Sequence, residues 1–315
     1  GGGFIGSEVA SVCRELDLPA TVVERGPAPL AGALGATAGG VAALMQRRHG
    51  VDLRTGVTVM ALEGDGRLRR ARLSDGDTLA VDVAVVALGA IRNTEWLRDS
   101  GLAADARGVV CDASCRVFDR DGIVLDDVYV AGDVARWPHP LFNGQLIAVE
   151  HWQNAVDQAA VAAHNMVRPA AERRAHKSVP AFWSNQFGRN IKSVGLPTIA
   201  EEVVVAQGSV PDGRFVAAYG AGGRIVAAVT VNQPRWLEFY RRLIEARAPF
   251  PPAFQAPDAP PDATPRPAGF PAAGVATHSA TAASTGPGPS SPPAPGAAPT
   301  EALHDARTPL GPPPL

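Results

Sequence analysis

Cysteine is scarce, with three in 315 residues, and none form a C-x-x-C pair. That leaves no disulfide framework and no redox dithiol of the usual spacing, and it suits a reducing cytoplasm. Cys111 and Cys115 are spaced C-x3-C and read as inert. His139, His151, His164 and His176 do not fall at ligand spacing with them, so no metal site is expected. There is no uninterrupted apolar run long enough for a membrane helix. There is also no dense basic run. Net charge is −2, which disfavours nucleic acid as a partner. Arg47, Arg48 and His49 are instead placed to end a helix, where cations suit the carbonyl end.

Large apolar residues are also few after about Pro249. The last 67 residues hold 19 of the 29 prolines. Ordering such a stretch would lose backbone entropy that little apolar burial offsets, so 248–315 is expected to be a disordered tail. The residues before it can bury a sizeable core.

Along that core the texture is α/β. Phe4 to Leu16 reads as a helix with Ile5, Val9, Val12 and Leu16 inward. Ala20–Glu24 reads as a strand, Gly35–Arg48 as a helix and Val57–Leu62 as a strand. Asp-Gly pairs at 65–66 and 75–76 mark hairpin turns. Val81–Leu88 is nearly all apolar, as a central parallel strand would be. Short strand pieces follow at Gly108–Phe118. A strand at Val128–Ala131 ends on Gly132-Asp133. A long helix is expected from Gln145 to Met166, with Trp152, Val156, Ala159, Ala163 and Met166 recurring on one face. Alternating segments at 190–194, 200–206, 214–219 and 224–231 predict an antiparallel sheet, closed by a helix over Trp236–Ala246. The division expected is 1–88, 89–170, 177–247 and the tail.

Gly1, Gly3 and Gly6 fit G-x-G-x-x-G, which opens a helix whose N-terminus can face a pyrophosphate. The motif alone is weak, because glycine turns are common. Its context is stronger: a helix, then a strand ending on Glu24, 18 residues after Gly6. A carboxylate there can bond adenosine ribose hydroxyls and repel a 2′-phosphate, favouring NADH, although Arg25 beside it can accommodate a phosphate. A buried strand should precede such a loop to aim it. The sequence opens directly on GGGFIG, which reads as a fragment. Asp133 can accept from a ribityl hydroxyl or simply cap a turn. Glu150 and His151 can be solvated and Trp152 core, or all three can line a flavin cleft, with His151 titrating near neutrality. Phe182 and Trp183 can stack on a flavin or nicotinamide ring, or pack as core.

Taken together, GGGFIGSEVA (1–10), TVVERGP (21–27), VALGAIRNTEWL (86–97), GVVCDASCRV (108–117), YVAGDVARWPHPLF (129–142), VEHWQNAVDQA (149–159) and VPAFWSNQFGRNIKSVGL (179–196) resemble the ferredoxin/rubredoxin reductases among glutathione-reductase-type flavoproteins. The likeness covers about 1–247 and is closest to bacterial reductases of P450 or Rieske-type oxygenase systems. It implies a Rossmann-like protein with two dinucleotide domains, truncated at its N-terminus, followed by an α+β C-terminal reductase domain. It further implies non-covalent FAD, a hydride from NADH, and single electrons passed to a ferredoxin. By that resemblance Gly1, Gly3, Gly6 and Glu24 hold NAD, and Gly89, Gly132 and Asp133 contact the nucleotide cofactors. Glu150, His151, Trp152 and Trp183 form the flavin-site set. No side chain is required as an acid or base for hydride transfer.

The family's first glycine-rich motif, for the FAD pyrophosphate, is absent. Arg92 replaces a frequent proline, and Ala148 a frequent basic residue. Two other functions compete. An NADH oxidase or nitrite-reductase-like flavoprotein is disfavoured by VPAFWSNQF. A non-enzymatic remnant that binds NAD weakly is the other.

Overall fold

The computed structural model describes residues 1–253. Helix α1 (Phe4–Glu15) starts from an extended Gly3 and ends where Asp17 turns left-handed (φ 56°). The Arg14 side chain satisfies the carbonyls of Leu18 and His49 at 2.7 and 3.0 Å. Its buried face is Ser7, Ala10 and Ser11. The expected inward face is mostly outward: Ile5 and Leu16 are 66% and 64% exposed. Small side chains won that face because it approaches other backbone and polar groups closely. Gln46 donates to Ser7 Oγ, and the Phe187 amide to Ser11 Oγ.

Strand β1 (Thr21–Glu24), helix α2 (Ala31–Arg48) and strand β2 (Asp52–Thr55) form a parallel β–α–β unit. The sequence reading did not anticipate β2 and started α2 four residues late, at Gly35. Gly35 is instead a kink inside the helix (φ 79°). Tyr219 plugs that kink, its hydroxyl donating to Leu34 O at 2.5 Å. Strands β3 (Val59–Gly64), β4 (Leu68–Leu73) and β5 (Thr78–Ala80) make an antiparallel meander, with Gly66 and Gly76 at positive φ in its turns as the Asp-Gly pairs predicted.

The expected central strand over 81–88 is not formed. These residues carry no ladder, and Val83, Val86 and Leu88 are 73–79% exposed. A parallel strand needs a hydrogen-bonding neighbour. No strand ladders with this run among the described residues; its contacts are a single Val81 N–H to Arg69 O bond at 3.0 Å, an Arg67–Asp82 ion pair at 2.7 Å and the glycine loop against Ala87.

Short strands β6 (Ala104–Asp105), β7 (Gly108–Val110), β8 (Arg116–Phe118) and β9 (Val124–Tyr129) follow, then β10 (Ala135–His139) and β11 (Gln145–Ile147). They form a sheet ordered β11-β10-β7-β6 and a separate β8–β9 hairpin. The strand expected at 128–131 is thus the end of an antiparallel hairpin rather than a parallel strand. Residues 145–147 are strand, so the next helix, α3 (Trp152–Met166), starts seven residues later than expected. Its apolar stripe is also outward: Trp152, Val156 and Met166 are 81%, 49% and 58% exposed. The buried face carries amides that bind loop backbone. Asn154 reaches Val149 O, Gln158 the Gly132 amide, and Asn165 the carbonyls of Ser114 and Arg174.

The last sheet is β12 (Ala181–Gln186), β13 (Arg189–Gly195), β14 (Glu202–Ser209), β15 (Arg214–Ala221) and β16 (Arg224–Val231), antiparallel in the order β12-β13-β16-β15-β14. Helix α4 (Leu237–Glu245) packs on β13 and β16. Strands β15 and β16 are almost wholly buried, and Phe215, Trp236 and Tyr240 anchor the largest core. This is the antiparallel sheet with its closing helix that the sequence predicted, extended by β12. The first residues assigned to the tail instead join the fold. Ile225 N donates to Ala248 O, and Phe250 N to Gly223 O. The rest of the expected tail lies outside the described residues. The whole is a mixed α/β fold, a Rossmann-like unit followed by an antiparallel α+β domain.

Candidate active site

The glycine loop is built by close approaches. A Cβ on Gly1 would lie 2.2 Å from Ala87 O, and one on Gly6 would lie 1.9 Å from Gly1 O. A Cβ on Gly3 would meet open space. Gly1 and Gly6 therefore pack the loop and helix together, while Gly3 leaves backbone open to a ligand at the N-terminus of α1. Beneath it, Gln46 Nε2 donates to Ser7 Oγ at 2.9 Å, and Ser7 Oγ to Gly2 O at 3.3 Å. Glu24, at the end of β1, accepts from the amides of Gly2 and Gly26 at 2.7 and 2.6 Å, one on each oxygen. A carboxylate oxygen has two lone pairs, so each can still take one hydroxyl. Arg25 is exposed. These residues fit an NAD pyrophosphate and ribose.

Gly89 (φ 92°) lies in the exposed run that follows Ala87. Gly132 is buried at φ 79°, a backbone conformation that favours glycine, and its amide donates to Gln158 Oε1 at 2.9 Å. The next residue, Asp133, is exposed. Its carbonyl accepts from Arg92 Nε at 2.8 Å. Among the described residues its carboxylate has no hydrogen-bonding side-chain or backbone partner, and so it stands ready for a hydroxyl donor. Arg92 also pairs through Nη2 with Glu150 at 2.5 Å.

The structure brings three distant segments around one cleft of about 690 Å³. Helix α1 contributes Glu8 and Glu15, the start of α3 contributes Glu150, His151 and Trp152, and β12 contributes Phe182 and Trp183. Trp152 and Trp183 are 81% and 55% exposed, so neither is core. Phe182 joins the segments: its ring centroid lies 3.8 Å from Phe4 and 5.5 Å from His151. Burial pushes the His151 imidazole below its ordinary value, against the pull of Asp133 and Glu150. It is therefore neutral near pH 7, and its Nδ1 is buried without a partner. The expected site residues fall into two groups. Glu150, His151, Trp152 and Trp183 share the cleft, whereas Gly1, Gly3, Gly6 and Glu24 gather at the far end of the glycine loop's helix start, and Gly132-Asp133 joins the first group through Arg92.

The sequence reading missed Glu8 and Gln158. Glu8 sits two residues past Gly6 and accepts from Ser184 Oγ at 2.5 Å. Gln158 is a fully buried amide in an Ala-rich helix. The available signal was polarity at positions spaced four apart, Asn154 and Gln158, on one helix face. Cys111 and Cys115 are 0% and 1% exposed, and burial raises both thiols, Cys115 to about 12. Neither supplies a thiolate. No group of potential metal ligands occurs among the described residues. No helix among them is long and apolar enough to cross a membrane.

Comparison with known proteins gives the same picture. Residues 1–159 match the family described as pyridine nucleotide-disulphide oxidoreductase, and 181–261 match a reductase C-terminal domain. Rhodocoxin reductase of Rhodococcus erythropolis is 34% identical over 253 residues, 80% of this chain and 56% of that protein. The anthranilate 1,2-dioxygenase system ferredoxin–NAD(+) reductase component of Burkholderia cepacia is 35% identical over 79% of this chain and 58% of its own. The chain thus spans less than three-fifths of either relative. Putidaredoxin reductase, solved in covalent complex with putidaredoxin, superposes with a TM-score of 0.71 at 26% identity, covering 79% of this chain and 58% of that one. A ferredoxin reductase from Rhodopseudomonas palustris superposes at 0.65 with 31% identity, covering 74% and 55%. With the glycine loop, the parallel β–α–β unit and the C-terminal sheet all in place, the chain belongs to the pyridine nucleotide-disulphide oxidoreductase family.

Proposed function

We propose that this chain carries the NADH-binding and C-terminal parts of an FAD-dependent ferredoxin reductase serving a P450 or Rieske-type oxygenase. The observation that carries the reading is the cleft where α1, the start of α3 and β12 meet around two exposed tryptophans. Its domains follow as 1–88 for NAD, 89–170 for part of the FAD site and 177–247 for the C-terminal reductase domain.

Gly1, Gly3 and Gly6 would hold the NADH pyrophosphate at the N-terminus of α1, and Glu24 its adenosine ribose. Asp133 would accept from a ribityl hydroxyl. Gly89 and Gly132 let backbone pass close to the cofactors. FAD, when bound, accepts a hydride and releases electrons singly. The chain's own residues would orient the cofactors and exclude water: Trp152 and Trp183, exposed in the cleft, would cover ring faces, with His151 neutral beside them. Glu150 holds its place through Arg92. A cytoplasmic location is part of the same proposal, and the scarcity of cysteine is compatible with it.

Expression from the full reading frame tests this. The product should be yellow and should reduce an artificial acceptor faster with NADH than with NADPH. A colourless, folded product sinks the FAD assignment, and equal rates sink the ribose role of Glu24.

A further inference from the structure

The Gly132-Asp133 turn is held from two sides. Gln158 of α3 accepts the Gly132 amide at 2.9 Å, and Arg92, from the run after Gly89, donates Nε to Asp133 O at 2.8 Å. The same guanidinium reaches Glu150, the second residue before α3, at 2.5 Å. Arg92 is only 19% exposed at its side chain and Glu150 is 37% exposed, so this pair is partly shielded from water. A guanidinium presents donors in a fixed planar fork, which suits simultaneous contact with a carbonyl and a carboxylate. Lysine has one compact ammonium and cannot hold both in that fixed geometry.

We propose that Arg92 is a positioning residue: it pins the Asp133 turn to the Glu150-His151 start of α3 and so fixes where the unpartnered Asp133 carboxylate is presented. The proposal rests on the reading that this turn faces a flavin. Arg92 itself touches neither cofactor nor substrate and acts through the two groups it joins. His151 reports on the charge half of this arrangement. Asp133 and Glu150 both draw its imidazole toward protonation, Glu8 and Glu15 line the same cleft, and Arg92 offsets Glu150. The Ala135 amide reports on the turn half, because it donates to Gly132 O at 2.9 Å within it.

The test uses the 315-residue chain without flavin. It compares wild type, Arg92→Ala, Arg92→Lys and Glu150→Gln by NMR titration of His151 and by amide exchange at Ala135. Arg92→Ala should raise the His151 titration midpoint and speed Ala135 exchange by roughly tenfold, as expected for a locally loosened turn. Glu150→Gln should lower the His151 midpoint. Arg92→Lys, which keeps the charge and the fold, should leave the titration near wild type while Ala135 exchange stays fast. An unmoved His151 midpoint or unmoved Ala135 exchange in Arg92→Ala overturns the proposal. Should that variant not fold, Ala135 exchange at the wild-type rate in Arg92→Lys overturns it. None of these readouts needs flavin, so a failure here leaves the flavin reading standing, and a colourless, folded product of the earlier test leaves the clamp standing.

Discussion

At the scale of single residues, the three loop glycines separate into two kinds. Gly6 has no room for a side chain, with a Cβ 1.9 Å from Gly1 O, whereas Gly3 has open space and an ordinary φ of −69°. Gly6→Ala should therefore destabilise the protein by about 1–3 kcal/mol, as overpacking of a tight site does. Gly3→Ala should leave the thermal midpoint nearly unchanged and, on the proposed reading that a pyrophosphate sits here, weaken NADH, since the added methyl would enter that open space. Thermal unfolding and NADH fluorescence titration check both; equal destabilisation by the two would contradict the geometry.

A second residue, His176, governs acid behaviour. It is 1% exposed, bonds Asn154 Oδ1 through Nε2 at 3.1 Å, and packs 5.1 Å from the Trp137 ring. Burial first, then nearby His139, lowers its value to about 4. The unfolded chain, near 6.5, binds that proton more readily than the folded one. Stability is thus complete above pH 6.5 and is lost as pH falls from there toward 4, by roughly 2–3 kcal/mol for this group. Urea unfolding across that window should show the slope in wild type and a flatter one in His176→Gln. A pH-independent midpoint in wild type would refute it.

At the scale of elements, stability is uneven. Strands β15 and β16 are hydrogen-bonded on both edges and nearly fully buried, while residues 81–88 carry no ladder. Amides from Val83 to Leu88 should exchange within the earliest time points, and those of Ala217 and Ala228 should be among the slowest. Protection of 83–88 comparable to β16 would show a partner strand in solution. What the sequence revealed at this scale follows the same division. The antiparallel sheet, α4, the Asp-Gly turns and α1 were legible, because alternation and turn chemistry are local. Periodicity also found an apolar stripe on α3, but it could not say what covers that stripe. The face turned inward is Asn154, Gln158 and Asn165, selected by loop carbonyls and an amide that only the fold brings near. In the same way, Glu150, His151, Trp152 and Trp183 were readable as types, while the cleft that α1 closes with Glu8 depends on contacts 176 residues apart in sequence.

Among the described residues, apolar side chains remain outward on several segments, including Ile5 and Val12 of α1 with Leu16 just beyond it, Val59, Met60 and Leu62 of β3, Val83 to Ile91, and Trp152 to Val167 around α3. Single exposed apolar residues are ordinary, but so many on successive elements are an association hazard. The chain alone should bind the dye ANS strongly and should scatter more light as concentration rises. A monomer at high concentration without dye binding would mean these segments are covered in solution.

The double grip of Glu24 on the Gly2 and Gly26 amides has a consequence for redesign. A conventional change of coenzyme preference replaces this acid with a small or basic residue to admit a 2′-phosphate. Here the same carboxylate ties two peptide amides together, so its removal leaves two donors to find other acceptors and frees the glycine turn it braces. If Glu24 also selects the coenzyme, as proposed, selectivity and loop integrity share one side chain. A variant meant to accept NADPH would then have to supply substitute acceptors for those amides, and the architecture would shelter a preference for NADH as much as charge does.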